Sequence, residues 1–71
     1  MKKSILITGC STGIGYVCAH ALQNKGFNVI ASCRKEQDVQ RLINEGLTCI
    51  NLDLNSPESI SSGVKQALEL A

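Results

Sequence analysis

The stretch Ile5-Leu6-Ile7-Thr8-Gly9-Cys10-Ser11-Thr12-Gly13-Ile14-Gly15 is a short apolar run, a glycine-rich turn and the opening of an amphipathic helix. Glycines at 9, 13 and 15 suit a backbone that turns tightly, lets a phosphate come close and packs a helix against a strand, because only glycine lacks the obstructing Cβ. A helix starting near Ile14 points free N–H groups and its positive dipole end at such an anion. The turn therefore reads as a cradle for a dinucleotide pyrophosphate. The bland alternative is a tight strand-to-helix turn that holds no ligand.

Outward from this turn, the chain keeps alternating. Ile5-Leu6-Ile7 is a continuous apolar run, the pattern of a strand covered on both faces of a parallel sheet. Ile14, Val17, Cys18, Ala21 and Leu22 then recur at helical spacing as one apolar stripe, and Gly26 supplies the stop, with Phe27 placed for the contact that accompanies such a cap. Asn28 to Cys33, with Val29-Ile30-Ala31 at its centre, reads as a second strand. Arg34-Lys35-Glu36 is a polar turn before a second helix, whose expected buried face is Val39, Leu42 and Ile43 and whose stop is Gly46. Leu47 to Leu52 reads as a third strand with Asp53 at its carboxyl end. Ser56 before Pro57 marks a third helix start, with Glu58 complementing its dipole. Ile60, Val64, Ala67, Leu68 and Ala71 then form an apolar stripe that reaches the final residue.

This βαβαβα order with short connections predicts an α/β fold: parallel strands with right-handed crossovers, in the order 3-2-1, forming one mononucleotide-binding half of a doubly wound sheet. In such a sheet the first strand normally pairs with a fourth, which residues 1–71 do not contain. One small domain is the most that 71 residues accommodate, near the lower limit for a self-sufficient core. A formal net charge of +1 argues against a nucleic-acid or acidic-membrane surface, which needs a basic patch or stripe. No run approaches the ~20 apolar residues of a membrane span. Met1-Lys2-Lys3 before an apolar run has the order of a secretory signal, and Thr8-Gly9-Cys10 that of a lipoprotein signal's end. The run stops at Gly9, too short for either, so export is not expected.

Cys10, Cys18, Cys33 and Cys49 lie 8, 15 and 16 residues apart, without a C-x-x-C pair or a histidine arrangement suited to zinc, so no metal site is expected. Cys18, Cys33 and Cys49 fall in helix or strand patterns, where a free thiol acts as a small buried hydrophobe. That usage fits a reducing cytosol, and a cytoplasmic location is expected.

The spacing Thr8-Gly9-x-x-x-Gly13-x-Gly15 resembles the nucleotide-binding signature of the short-chain dehydrogenase/reductase family. The resemblance continues through Ser32-Cys33-Arg34 at the end of the second strand and Asn51-Leu52-Asp53-Leu54 after the third, so it covers all 71 residues in the expected order. It implies a Rossmann-like domain in which Ser11, Thr12 and the Ile14 backbone lie near the phosphates and adenosine ribose, with Asp53 and Leu54 flanking the adenine. The plain alternative for Asp53 is a solvated carboxylate at a strand end.

Cofactor choice turns on the end of the second strand. An acidic residue there binds the ribose 2′-hydroxyl and repels a 2′-phosphate, whereas arginine pairs with that phosphate. Cys33 stands where NAD-preferring relatives carry the acid, and Arg34 follows with Lys35 beside it, so the resemblance implies NADP(H) over NAD(H). Thr12 stands where some relatives add a basic residue, which tempers the preference. Read without a ligand, Arg34 and Lys35 are ordinary turn charges.

Two competing motifs overlap the loop. Gly9-Cys10-Ser11-Thr12-Gly13 matches the serine nucleophile elbow, but the single histidine, His20, precedes where the triad would need it and falls opposite the apolar stripe, as a surface residue. The mononucleotide phosphate loop fails because Ile14 stands at its second glycine. The resembled family acts through a Tyr-x-x-x-Lys pair, an upstream serine and an Asn-Asn-Ala-Gly segment. None of these is present: Tyr16 is the sole tyrosine, and His20 rather than lysine stands four residues on. The expectation is thus a cofactor-binding half of a longer oxidoreductase that moves hydride between nicotinamide and a carbonyl or alcohol carbon, with no catalytic residue of its own. The alternative is a non-catalytic nucleotide-binding or interaction module, self-associating through the free edge of its first strand.

Overall fold

A computed structural model describes residues 3–71, and Met1 and Lys2, the charged start of the secretory-type pattern, lie outside the described residues. Six elements alternate: β1 (Ser4–Ile7), α1 (Gly13–Asn24), β2 (Asn28–Cys33), α2 (Glu36–Asn44), β3 (Thr48–Asn51) and α3 (Pro57–Leu70). All pairings are parallel in the order β1-β2-β3, which is the expected 3-2-1 order read from the other edge. The register sets Ile7 opposite Ala31 and Cys33 opposite Asn51, so all three strands end on one rim of the sheet.

The middle strand shows why helices lie on both faces. Val29, Ala31 and Cys33 pack with Ala19 of α1, Val39 and Leu42 of α2 and Cys49 of β3, whereas Ile30 turns the other way to meet Ile50 and Ala67 of α3. Side chains alternate across a strand, so a run apolar at every position must be covered twice.

Helix ends follow local chemistry. At Gly26 and Gly46 the chain closes α1 and α2 with paired bonds: Phe27 N to Leu22 O and Gly26 N to Gln23 O after α1, Leu47 N to Leu42 O and Gly46 N to Ile43 O after α2. Phe27 and Leu22 both pack on the core. Because Leu47 belongs to the second closure, β3 begins at Thr48 rather than at Leu47. Ser56 caps α3 through its hydroxyl, which accepts from Ser59 N at 3.3 Å, with Pro57 in the first turn.

Three expectations about burial are corrected. The stripe of α1 faces outward: Ile14 is 85% and Val17 64% exposed, and Cys18 and Ala21 are exposed with them. Of the stripe only Leu22 packs on the core; the rest of the sheet side is made by Gly15, Tyr16 and Ala19, with Gly15 at the point where the helix meets the turn and no Cβ fits. Ile43 of α2 and Val64 and Leu68 of α3 are likewise exposed, leaving Val39 and Leu42, and Gly63 and Ala67, as the buried positions. Among the thiols, Cys33 and Cys49 are buried as expected, Cys18 is exposed, and the loop residue Cys10 is fully buried.

Leu42 lies at 0% exposure in the core between α2 and the sheet. Leu42→Ala is expected to lower stability in urea denaturation by about 2–5 kcal/mol through lost burial and a residual cavity. Leu68→Ala, on an exposed position, is expected to change it by less than about 0.5 kcal/mol.

Candidate functional site

The turn after β1 is fastened from several directions. Gly9 and Gly13 adopt φ of +66° and +69°, in the left-handed region that other residues enter only with strain. Between them Cys10 drops into the core: its N–H donates to Ser32 O at 3.0 Å and its thiol to Ile7 O at 3.2 Å. The buried Ser32 hydroxyl donates to the same Ile7 carbonyl at 3.0 Å, tying β2 to the end of β1. Gly15 completes the arrangement. A Cβ on it would stand 2.5 Å from Gly9 O and 3.1 Å from Thr8 O, so α1 rests directly on the turn's own carbonyls.

This packing opens a cleft of about 350 Å³ along the carboxyl rim of the sheet. Thr8, Gly9 and Ser11 line it from the first turn and Arg34 from the end of β2. Leu52, Asp53, Leu54 and Asn55 line it from the segment after β3. Gly9, Ser11, Arg34, Asp53 and Leu54 therefore meet at one place although up to 45 positions separate them. Thr12, Gly13 and Ile14 lie at the start of α1: Thr12 is the N-cap residue without a side-chain cap bond, no acidic residue occupies the first turn, and the Ile14 side chain points to solvent. The first N–H groups of α1 are thus left without a side-chain acceptor. Gly15 acts on the cleft through packing and lines no part of it.

Arg34 is exposed, and among the described residues no carboxylate pairs with it. Its main chain is fixed, since Asn51 Nδ2 donates to Arg34 O at 2.8 Å. Cys33 offers the cleft nothing: it is 1% exposed, faces α2, and its thiol lies 3.8 Å from Cys49 Sγ. Burial pushes the Cys10 and Cys33 thiols up and takes Cys49 to about 12, so all three stay protonated and unreactive. Asp53 is half-buried, and its Oδ1 accepts from Asn55 N at 2.9 Å while its own N–H donates to Ser59 Oγ at 2.8 Å. The strand-end carboxylate is thereby held in a fixed turn at the cleft wall.

A second polar cluster lies behind the loop, where α1 meets α2. Tyr16 donates its hydroxyl to Glu45 Oε1 at 2.5 Å, and His20 Nε2 lies 2.9 Å from the same oxygen. His20 is therefore half-buried in a helix-to-helix contact, which corrects its expected place as a free surface residue. Its wheel position faces away from the apolar stripe, but that stripe is the face that α1 turns to solvent. The Tyr16 bond holds the Glu45 carboxyl below its ordinary value, with the His20 bond adding to it, and the same phenol-to-carboxylate bond pushes the Tyr16 phenol up. Arg41 of α2 lies over the Tyr16 ring, 5.9 Å from its centroid, and donates to the main-chain oxygen of Ser11. Nothing in the spacing of Ser11 and Arg41 announces this contact across 30 residues.

The family model described as short chain dehydrogenase matches residues 3–71. An uncharacterized oxidoreductase, YbbO, of Escherichia coli K12 is 47% identical over 70 residues, covering 99% of this chain and 26% of that protein. Human retinol dehydrogenase 5 is 36% identical over 64 residues, covering 86% of this chain and 20% of that protein. The chain thus spans about a quarter of the length of the first of these curated relatives. Among solved structures, a short-chain dehydrogenase from Streptomyces avermitilis superposes with a TM-score of 0.85 at 28% identity, over 97% of this chain and 26% of its own. A blue fluorescent protein from a metagenomic library, solved in complex with NADPH, superposes with a TM-score of 0.74 at 26% identity, over 96% of this chain and 32% of its own.

Gly15→Ala is expected to force α1 off the turn, lowering stability by about 1–3 kcal/mol in urea denaturation and displacing the amide resonances of Gly9 and Cys10. Unmoved resonances would show that the helix does not rest there. Glu45 ionises more readily folded than unfolded, so its stabilising contribution is complete above its ordinary value of 4.5 and is lost as pH falls through the lower folded value. The gap in urea midpoint between the wild type and Glu45→Gln is accordingly expected to hold near neutral pH and to close on acidification.

Proposed function

The chain belongs to the short-chain dehydrogenase family, and on that premise we propose that residues 1–71 are the NADP(H)-binding half-domain of a longer oxidoreductase. The observation that carries this reading is the cleft at the strand ends, where the glycine turn, Arg34 and the Asp53-Leu54 segment converge. Its features suit a dinucleotide: Gly9 and Gly13 leave open space where a Cβ would stand, and the first N–H groups of α1 carry no side-chain cap.

In this reading the pyrophosphate lies against Gly9, Ser11, Thr12 and Gly13 and the amide ends at Ile14 and Gly15. The α1 N-terminus supplies partial positive charge at no cost in reorganisation. Asp53 and Leu54 form the wall for the adenine, with the carboxylate pre-set by its bond from Asn55 N. Arg34, unpaired among the described residues and with its backbone held by Asn51, reads the 2′-phosphate, and the buried Cys33 puts no negative charge in its way. The bound nicotinamide would supply or accept hydride. The Tyr-x-x-x-Lys pair that exchanges the proton in the resembled family has no counterpart in these residues, since Tyr16 is committed to Glu45 behind the loop. We assign proton transfer and the carbonyl or alcohol substrate to the part of the longer protein that the relatives' greater length represents. Four free thiols support a reducing, cytoplasmic setting, and no helix among the described residues is long and apolar enough to cross a membrane.

A second reading, a binding or interaction module that self-associates, draws on one observation. β1 pairs only with β2 among the described residues, and an apolar groove lined by Leu6, Ile30, Val64 and Leu68 lies between it and α3. Mass that rises with concentration supports this reading, and a monomer at high concentration opposes it.

The test is an amide NMR titration of the chain with NADP+ and then NAD+. Tighter NADP+ binding is expected, with shifts at Gly9 to Gly15, Arg34, Asp53 and Leu54. Arg34→Asp is expected to cost about ten- to a hundredfold in NADP+ affinity and far less in NAD+ affinity, the loss of one charge-assisted contact. Equal losses for both dinucleotides would remove Arg34 from this role.

A further inference from the structure

Arg41 of α2 hydrogen-bonds the glycine turn, and three neighbours determine where its guanidinium goes. Asp38, one helical turn earlier, places Oδ1 3.5 Å from Nη2. The Tyr16 ring lies beneath it, and that ring is fastened through its hydroxyl to Glu45, which also holds His20. The guanidinium then donates to the main-chain oxygen of Ser11, a residue that lines the cleft. The stack is anchored on both helices, so Arg41 is positioned before any ligand arrives.

The consequence follows from peptide geometry. In a planar trans peptide the carbonyl of Ser11 and the N–H of Thr12 point in opposite directions. Holding the carbonyl on the α2 side therefore holds the Thr12 N–H on the other. A flip of this peptide would exchange a donor for a carbonyl oxygen, which repels a phosphate. Cys10 secures the first half of the turn through Ser32 and Ile7, but among the described residues Arg41 provides the only hydrogen bond to the Ser11–Thr12 peptide.

We propose that Arg41 is a positioning residue for dinucleotide binding: it touches no part of the cofactor and keeps the Ser11–Thr12 peptide with its donor toward the pyrophosphate. This rests on the cleft's being a dinucleotide site. It assigns the two arginines different work. Arg34 distinguishes NADP(H) from NAD(H) at the 2′-phosphate, whereas Arg41 acts on the pyrophosphate that both share.

The experiment is calorimetric titration of wild type, Arg41→Gln, Arg41→Lys and Arg34→Asp with NADP+ and with NAD+, alongside amide spectra of each unliganded chain. Arg41→Gln is expected to weaken both dinucleotides by the same factor, about five- to tenfold, less than the full worth of a charge-assisted bond because the Thr12 donor is loosened and not removed. Arg41→Lys, which keeps a cationic donor but not the fork, is expected to recover part of the loss. The Thr12 amide of unliganded Arg41→Gln is expected to shift and to exchange faster, while the urea midpoint stays near that of wild type, because an exposed pair contributes little to global stability. Should Arg41→Gln fail to fold, Arg41→Lys carries the same comparison. Unchanged affinities in a chain whose wild type binds would overturn the proposal. So would a loss confined to NADP+, which would make Arg41 a phosphate ligand. If a wild type whose amide spectrum is dispersed binds neither dinucleotide, the cleft reading itself fails and the proposal falls with it; a collapsed spectrum moves the same four-way comparison to the longer protein that carries these residues.

Discussion

Everything at the rim of the sheet depends on how closely α1 rests on the end of β1. The contact is backbone on backbone: the carbonyls of Thr8 and Gly9 occupy the space that a Cβ of residue 15 would need. That approach allows the helix to start at Gly13, directly after the turn, and it continues one turn on at Ala19, which is fully buried. It also leaves Cys10 no outward path, so the thiol becomes part of the core and bonds back to the strand it follows. A looser seat would separate the helix N-terminus from the strand end and dissolve the geometry of the turn.

The two faces of the sheet are unequally served. Helices α1 and α2 cover one side and build the larger cluster around Leu42, Val29 and Cys49, whereas α3 covers the other and buries Ile30, Ile50 and Ala67. Ile14 and Val17 on one side of β1, and Val64 and Leu68 on the other, are left in solvent together with the strand's own Leu6. Leu6, Val64 and Leu68 share one apolar groove. The cleft is insulated from the imbalance, because its walls hang from strand ends whose mutual register is fixed by β2 in the middle.

Charge in and behind the cleft is arranged by burial. The thiols of Cys33 and Cys49 stay neutral because they are desolvated, so the wall beside Arg34 carries no negative charge from the end of β2. Behind the turn, one carboxylate, Glu45, collects a phenol and an imidazole and steadies the ring on which Arg41 lies. The cationic groups thus fall into two sets, Arg34 open to the cleft and Arg41 turned to the backbone of the loop.

Much of this was legible from residue order alone. Short apolar runs, glycine stops and the Ser56-Pro57 start predict the six elements nearly to their ends, because caps and strand hydrophobicity are local properties. The family resemblance likewise implies that Gly9, Ser11, Arg34, Asp53 and Leu54 lie together, and they line one cleft because a parallel sheet brings all its strand ends to the same rim. Which face of α1 is buried was not legible: periodicity selects the most apolar stripe, whereas packing selected the face that carries Gly15, the one position at which the helix approaches the turn within contact of its carbonyls. The Tyr16, His20 and Glu45 cluster and the bond from Arg41 to Ser11 were equally hidden. They join residues 25 to 30 positions apart, and only the way α1 and its preceding turn lie against α2 on the sheet determines that those residues meet.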